Sequence, residues 1–466
     1  AGGKVPSNET LNFYVPEQNG FWNSSGPPIF DQGVTSTGVV NMGWSDRGGD
    51  GFGYYGGTYS VSGGRRVPNE IAGMKPFNSS GPIPSRYARM AEGGRDNVKS
   101  GVDEVPLPEN TFALGDAAWG FDATNPLPGS TERGVHINET SGNVSGIYIE
   151  GDVEEMQLGY GGSQPSRQSG GSAVNYGQNS WVKVEVPING QRRIDNNENV
   201  TVITVKEDPI TLPAGTTLDG NALTGPSTIN PGNTLVRRAD GTWESYSGEL
   251  NGSVYVNGDI RDLWGVNKGR RTIAVASDAG SLDNKIIIGG REPDNVSNSL
   301  QNGANEPLST NANEKGLVQF GVVDADGDGI LDSPRTADNT LGLIARDVLV
   351  SRRLQNNNRW NVHSSSNPLY IYATVMGGLD GTQGSYRVED HDEGGLGFAY
   401  TYGSKLMARA GAWGTANFSG PVNGLTLGTS FFDGPASIQP PPFFPAKPSF
   451  AVKSYFELKD NSGDSL

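Results

Sequence analysis

The sequence predicts a mainly β protein whose body is a β-solenoid, or β-helix, of stacked short strands. Three observations carry that expectation. First, a motif recurs: GIYIEGDVEEMQLG from Gly146 to Gly159, and SVYVNGDIRDLWG from Ser253 to Gly265. Both read apolar–Tyr–apolar–x–Gly–Asp–apolar, and recurrence of one supersecondary unit marks a repeat architecture. Second, short β runs follow the second copy at fairly even intervals with no helical segment between them, as stacked coils require. Third, 68 glycines and 29 prolines make up 97 of 466 residues. Average usage is roughly 12% for the two together, so the chain is built for many turns.

The elements follow in order. Residues 1–140 form an irregular, β-rich N-terminal region of Gly, Asn, Pro and Ser clusters such as GFWNSSGPPIF (20–30). Aromatics are interleaved there, among them Phe13, Tyr14, Trp22 and Trp44. Disordered chains are poor in aromatics, so short strands joined by turns are expected instead. One short helix is expected near Pro84 to Glu92. Residues 141–180 hold the first solenoid-type repeat. The alternation Ile147/Ile149 and Val254/Val256 points one face inward, and Gly-Asp then turns the chain. Residues 181–250 differ: WVKVEVPI (181–188), NVTVITVKE (199–207) and DGTWESYSG (240–248) alternate strictly. They predict an inserted antiparallel β lobe.

Residues 251–430 carry the solenoid-like runs. These are RTIAVAS (271–277), KIIIGG (285–290), GLVQFGVV (316–323), LGLIARDVLV (341–350), LYIYATVMG (369–377), GSYRVE (384–389) and GFAYTYGS (397–404). Residues 431–466 are a Pro-rich C-terminal segment. Four prolines between Pro440 and Pro445 cannot sit in a central strand, so an extended stretch crosses the surface. A final edge strand is expected near Phe450 to Leu458. A jelly roll or sandwich is the alternative architecture.

Charge narrows the function. Lys plus Arg number 35 and Asp plus Glu 51, so the net charge is −16. A global coat on duplex DNA needs the opposite sign, although a local basic patch does not. The absence of cysteine excludes disulfides, thiolate metal sites and cysteine nucleophiles. No apolar stretch approaches the roughly 20 residues of a membrane span, so no membrane contact is expected of the chain. The opening AGGKVPSNET shows no charged-plus-apolar targeting segment.

The sharpest local motif is Asp324-Ala-Asp326-Gly-Asp328-Gly329-Ile330-Leu-Asp332. Counting from Asp324, carboxylates fall at positions 1, 3, 5 and 9, glycine at 6, and the Ile330 carbonyl at 7. That is the donor spacing of a calcium loop, with five hard-oxygen ligands. Position 12 is Arg335 rather than glutamate, and no helix-forming segment flanks the loop. A structural Ca2+ of the thrombospondin or dockerin kind is therefore expected, with Asp338, a residue from elsewhere in the chain, or water completing the shell. The alternative is an acidic solvated turn with no metal.

A basic patch runs from Arg346 to Trp360, RDVLVSRRLQNNNRW. Arg346, Arg352, Arg353 and Arg359, with Trp360 and the nearby Tyr370 and Tyr372 for stacking, make a candidate DNA-binding surface. An ordinary polar turn is the alternative. Lys268 with Arg270 and Arg271 is a second basic candidate. Catalysis finds no support. His136, His363 and His391 are far apart and lack metal-ligand spacing. Glu389-Asp390-His391-Asp392-Glu393 reads as a solvated acidic turn, with a second cation site or an acid pair as the alternative. No acid dyad of the kind polysaccharide-active solenoids use is visible. The chain is therefore not expected to be an enzyme.

The order of motifs carries a resemblance. GIYIEGDV, VYVNGDI-x-x-LWG, TIAVAS, IIIGG, LGLIARDVLV, YIYATVMG, GSYRVED, PPPFFP, PPIFDQGVTSTG and VPLPEN together resemble large pilus-associated, PilX-like surface proteins of the Deinococcus–Thermus group. The resemblance implies an extracellular, bacterial protein displayed on or at the tip of a type IV pilus. It implies a β-solenoid carried on a pilin-type module, with pilin subunits or other pilus proteins as partners. It also implies DNA capture in natural transformation. Pilins begin with a long apolar helix that this chain lacks, so the chain would be the ectodomain. The alternative function is a calcium-stabilised structural or adhesive cell-envelope protein.

Overall fold

The computed structural model describes short strands between residues 5 and 99 and, with side chains, most of 110–445. The larger gaps fall at 121–125, 163–173, 188–196, 277–283, 290–315, 323–337, 352–367, 379–383, 392–394 and 432–438. The protein is mainly β. Among the described residues one α-helix occurs, Phe112–Trp119, a segment the sequence reading left without a helix. The helix expected near Pro84 to Glu92 and the edge strand near Phe450 to Leu458 lie outside the described residues. In the N-terminal region, Leu11–Val15 runs parallel to Val40–Asp46.

Most of the body is three ladders of parallel strands. The first runs Ile147–Glu150, Ser253–Asn257, Arg270–Val275, Thr340–Ala345, Thr374–Gly377, Lys405–Met407. The second runs from the start of Ile260–Asn267 through Lys285–Ile288, Asp347–Val350 and Ser385–Val388 to Arg409–Ala410. The third runs Glu155–Tyr160, the end of Ile260–Asn267, Gly316–Gln319, Leu369–Tyr372, Gly395–Tyr402, Gly420–Phe431. Each pass of the chain adds a strand to the ladders in turn. Jelly rolls and sandwiches rest on antiparallel pairs; these ladders are parallel.

Period-two alternation explains why the runs pack this way. On the first ladder Ile147, Val254, Ile273, Leu343 and Val375 are stacked in register, and all point into the main core. Their neighbours Tyr148, Tyr255, Ala274, Ile344 and Met376 stack on the opposite face. That face is covered by Leu114 and Ala118 of the helix and by Phe444. Each fully buried aliphatic chain stabilises by about 1.5–3 kcal/mol.

The runs LGLIARDVLV and LYIYATVMG each break into two strands, at Arg346 and at Ala373. Each break is a corner where the chain leaves one ladder for another. The described part of the Pro-rich segment, residues 439–445, crosses the first ladder's outer face and forms no strand. Arg270 Nη2 donates to the Pro440 carbonyl at 2.6 Å, and Thr272 Oγ1 donates to that of Pro442.

Between the first two passes the chain makes an antiparallel excursion. Ser180–Pro187 pairs with Glu155–Tyr160 and with Asn197–Val205; the latter pairs with Asn233–Arg237, which pairs with Trp243–Ser247. These strands enclose a separate cluster that includes Tyr176, Trp181, Ile203, Leu235 and Trp243. At their root Lys183 Nζ lies buried between Glu155 Oε1 at 3.3 Å and Glu185 Oε1 at 3.1 Å.

Candidate functional site

The Gly-Asp of the repeat looks like a candidate acidic site, and its geometry shows another use. Asp152 Oδ1 accepts the backbone N–H of Asp259 at 3.1 Å. Asp259 Oδ1 accepts that of Lys285 at 2.9 Å, and Asp347 Oδ1 accepts that of Ser385 at 3.1 Å. Each carboxylate caps the backbone of the following pass at the same corner. Glu150 is held in the same way by Asn257 Nδ2, at 3.1 and 2.9 Å. These acids tie coil to coil.

Among the described residues the surface holds a cleft of about 830 Å³. It lies between the antiparallel excursion and the corners that lead from the third ladder to the first. One wall carries Lys206 and Glu207. Their turn is fixed by buried Asn179, whose Oδ1 accepts the N–H groups of Lys206, Glu207 and Asp208 at 2.9, 2.8 and 3.3 Å. Asn179 Nδ2 donates back to the Tyr176 and Asp208 carbonyls. Another part of the lining carries Lys268 and Arg270. There Asn339 Oδ1 accepts the Gly269 N–H at 2.7 Å, and Asn339 Nδ2 donates to the Phe320 carbonyl at 3.1 Å.

Arg271 forms the floor and is only 6% exposed. Nη1 donates to Asn267 Oδ1 at 3.0 Å and to the Lys268 carbonyl at 2.9 Å; Nη2 donates to Ser180 Oγ at 3.0 Å. All three acceptors are neutral. Among the described residues no carboxylate pairs with this guanidinium. Burial lowers its pKa to about 10, which leaves it charged at neutral pH.

Above it, Lys268 Nζ donates to the Gln178 carbonyl at 2.7 Å and stands 3.9 Å from Glu207 Oε1. It also lies 4.9 Å from the centroid of the Phe320 ring, which meets Tyr160 edge-on at 4.4 Å. Lys206 pairs with Glu249 at 3.4 Å, both largely in solvent, where such a pair contributes little. The lining thus holds four cations, Lys206, Lys268, Arg270 and Arg271, against three carboxylates, Glu207, Glu249 and Asp338. Arg271 is the buried member of the set.

The sequence-derived sites fare differently. Asp324, Asp326, Asp328, Ile330 and Asp332 lie outside the described residues. Asp338, the suggested further ligand, is exposed on the cleft rim. No group of three or more metal-ligating side chains occurs among the described residues. Arg352, Arg353, Arg359 and Trp360 lie outside the described residues, and Arg346 is half-buried at a corner.

Tyr370 and Tyr372 are not an open stacking platform. They are 2% and 0% exposed, and their rings stack on Tyr400 at 5.5 Å and Tyr402 at 4.1 Å. Parallel in-register pairing places like residue on like residue, so these tyrosines pack against each other rather than against a ligand. His136 is held by the Glu132 carbonyl and packs on Trp119. The basic trio at 268–271 does converge. Lys206, Tyr160 and Phe320 join it from distant stretches of sequence, and no local signal could have grouped them. Among the described residues no helix is long and apolar enough to cross a membrane. No protein-family model matches the chain, and neither a curated protein nor a solved structure is significantly similar to it.

Proposed function

We propose that this protein is a non-catalytic, surface-displayed β-solenoid: a stiff platform that holds a ligand rather than turning one over. The observation that carries the reading is the fate of the acids. Asp152, Asp259 and Asp347 hydrogen-bond the backbone of the next pass, and Glu150 bonds Asn257. Carboxylates engaged in this way are poor candidates for the acid and base of glycoside hydrolysis, which needs facing pairs about 5–9 Å apart around a substrate. Loops at the corners are then free to carry recognition. Display on a pilus or the outer envelope of a bacterium fits such a platform and the resemblance in motif order.

Protease shaving and antibody labelling of intact source cells test this reading. Surface labelling lost on shaving is the expected result; labelling only after permeabilisation would overturn it. The narrower reading, a DNA receptor at a pilus tip, rests on the segment from Arg346 to Trp360, since Tyr370 and Tyr372 are buried. Fluorescence anisotropy with a labelled duplex at low salt, comparing wild type with Arg352→Ala/Arg353→Ala, tests it. Saturable binding weakened by the double variant is required; no binding at low salt removes DNA as the ligand.

A further inference from the structure

We infer that the cleft floored by Arg271 binds an acidic saccharide, a sugar chain carrying an isolated carboxylate. The inference deepens the binding reading above and rests on it. A charge buried without a counter-ion is strongly destabilising unless its surroundings compensate. Among the described residues Arg271 is compensated by an amide oxygen, a carbonyl and a hydroxyl, all neutral. It faces a cleft of about 830 Å³, within the size range of small-molecule sites. A ligand carboxylate entering there gains a charge-assisted partner that water supplies less well. Lys268, anchored over Phe320, stands beside the same opening.

The rest of the lining selects what bears that carboxylate. Thr204 and Ser180 present hydroxyls, and Glu207, Glu249 and Asp338 present carboxylate oxygens, the groups that answer sugar hydroxyls, whereas Asn251, Ser253 and Asn339 are engaged within the protein. Phe320 supplies apolar surface for a ring's C–H face. Glu207, Glu249 and Asp338 stand around the same space, so a dense polyanion such as a nucleic-acid backbone meets repulsion at three points. One carboxylate on an otherwise neutral, hydroxyl-rich chain meets one buried cation.

Titration calorimetry with cellobiouronate and with cellobiose tests this, because the two differ by a carboxylate in place of a hydroxymethyl group. Cellobiouronate should bind saturably, and cellobiose at least about tenfold more weakly. Arg271→Met should abolish the preference. Because that buried site is structural as well, Lys268→Gln and Phe320→Leu are measured alongside, with the melting temperature as a folding control. Each should weaken cellobiouronate about fivefold or more with melting nearly unchanged.

Equal affinity for the two sugars, no heat with cellobiouronate, or unchanged affinity in both partner variants overturns the inference. Inorganic phosphate or a short oligonucleotide binding as tightly as cellobiouronate overturns it too, since the cleft would then be a general anion or nucleic-acid site. Release of glucose from bound cellobiouronate would leave the ligand class standing and overturn the non-catalytic reading instead.

Discussion

Arg261 Nη2 lies 2.7 Å from Asp152 Oδ2, joining the second copy of the repeated motif to the first. Its Nη1 lies 2.6 Å from Glu154 Oε1, so one guanidinium holds two carboxylates of the preceding pass. The arginine side chain is 22% exposed. It is therefore better shielded than an ordinary surface ion pair. Arg261→Met should destabilise by about 1–2 kcal/mol. Urea unfolding measures it. An unchanged midpoint would mean the clamp is solvated and idle, and combining the variant with Asp152→Asn would show how much of the effect is the pair itself.

Glycine matters here where backbones approach. Gly265 has φ +115°, and a Cβ there would collide with the Leu158 backbone on the neighbouring pass. Gly220, in the tight turn between Thr217–Leu218 and Asn221–Ala222, has φ +74° with open space around it. Gly220→Ala should cost about 1 kcal/mol, the conformational penalty alone. Gly265→Ala should cost several times that, because two parallel strands must part. Equal losses in thermal melts of the two variants would refute the close-approach account.

Lys405 gives the protein a pH signature. Its burial lowers the ammonium pKa to about 8. The side chain donates to Thr401 Oγ1 at 2.6 Å and lies 5.7 Å from the ring centroids of Tyr386 and Trp413. The unfolded chain holds that proton up to the ordinary lysine range, about 10.4. Between the two values the unfolded state binds more protons, so stability rises with pH across that window. Lys405→Met should flatten this part of a melting-temperature profile. A profile identical in wild type and variant would discount the site.

The loop from Asp324 to Asp332 predicts a metal effect independent of the rest. Excess calcium should raise the melting temperature relative to chelator, and Asp326→Asn/Asp328→Asn should remove the difference. A wild-type scan indifferent to calcium would leave an acidic turn. Both flanking residues that are described, Val322 and Asp338, line the cleft, so the same titration run with cellobiouronate present would show whether metal and sugar binding are coupled.

What could be read from the sequence follows from the range of the interactions. Ile147/Ile149 and Val254/Val256 announced inward-facing strands because period-two alternation is local. The repeated Gly-Asp marked a corner, but its carboxylate's bond to the next pass needs the register, which no local pattern encodes. Tyr370 and Tyr372 misled for the same reason: aromatic residues near arginines read as a stacking surface until Tyr400 and Tyr402 are set above them. The helix Phe112–Trp119 has no local signature, because FALGDAAW carries a glycine and no charged stripe of helical period; it packs over Tyr148 and Tyr255. Arg271 drew notice only as one of a basic trio. Its burial depends on Ser180, 91 residues away.

The parallel ladders have a mechanical consequence. Their backbone hydrogen bonds point along the stacking direction, from one pass to the next. A pull along that axis loads the bonds of one interface at a time, so the molecule should peel coil by coil instead of shearing as a block. The chain released at each step is set by whatever the corners hold. The pass that contains the antiparallel excursion, from Ser180 to Ser247, would release the longest tether, with Arg261, Asn257 and Asp152 as lateral fastenings between the two copies of the repeat.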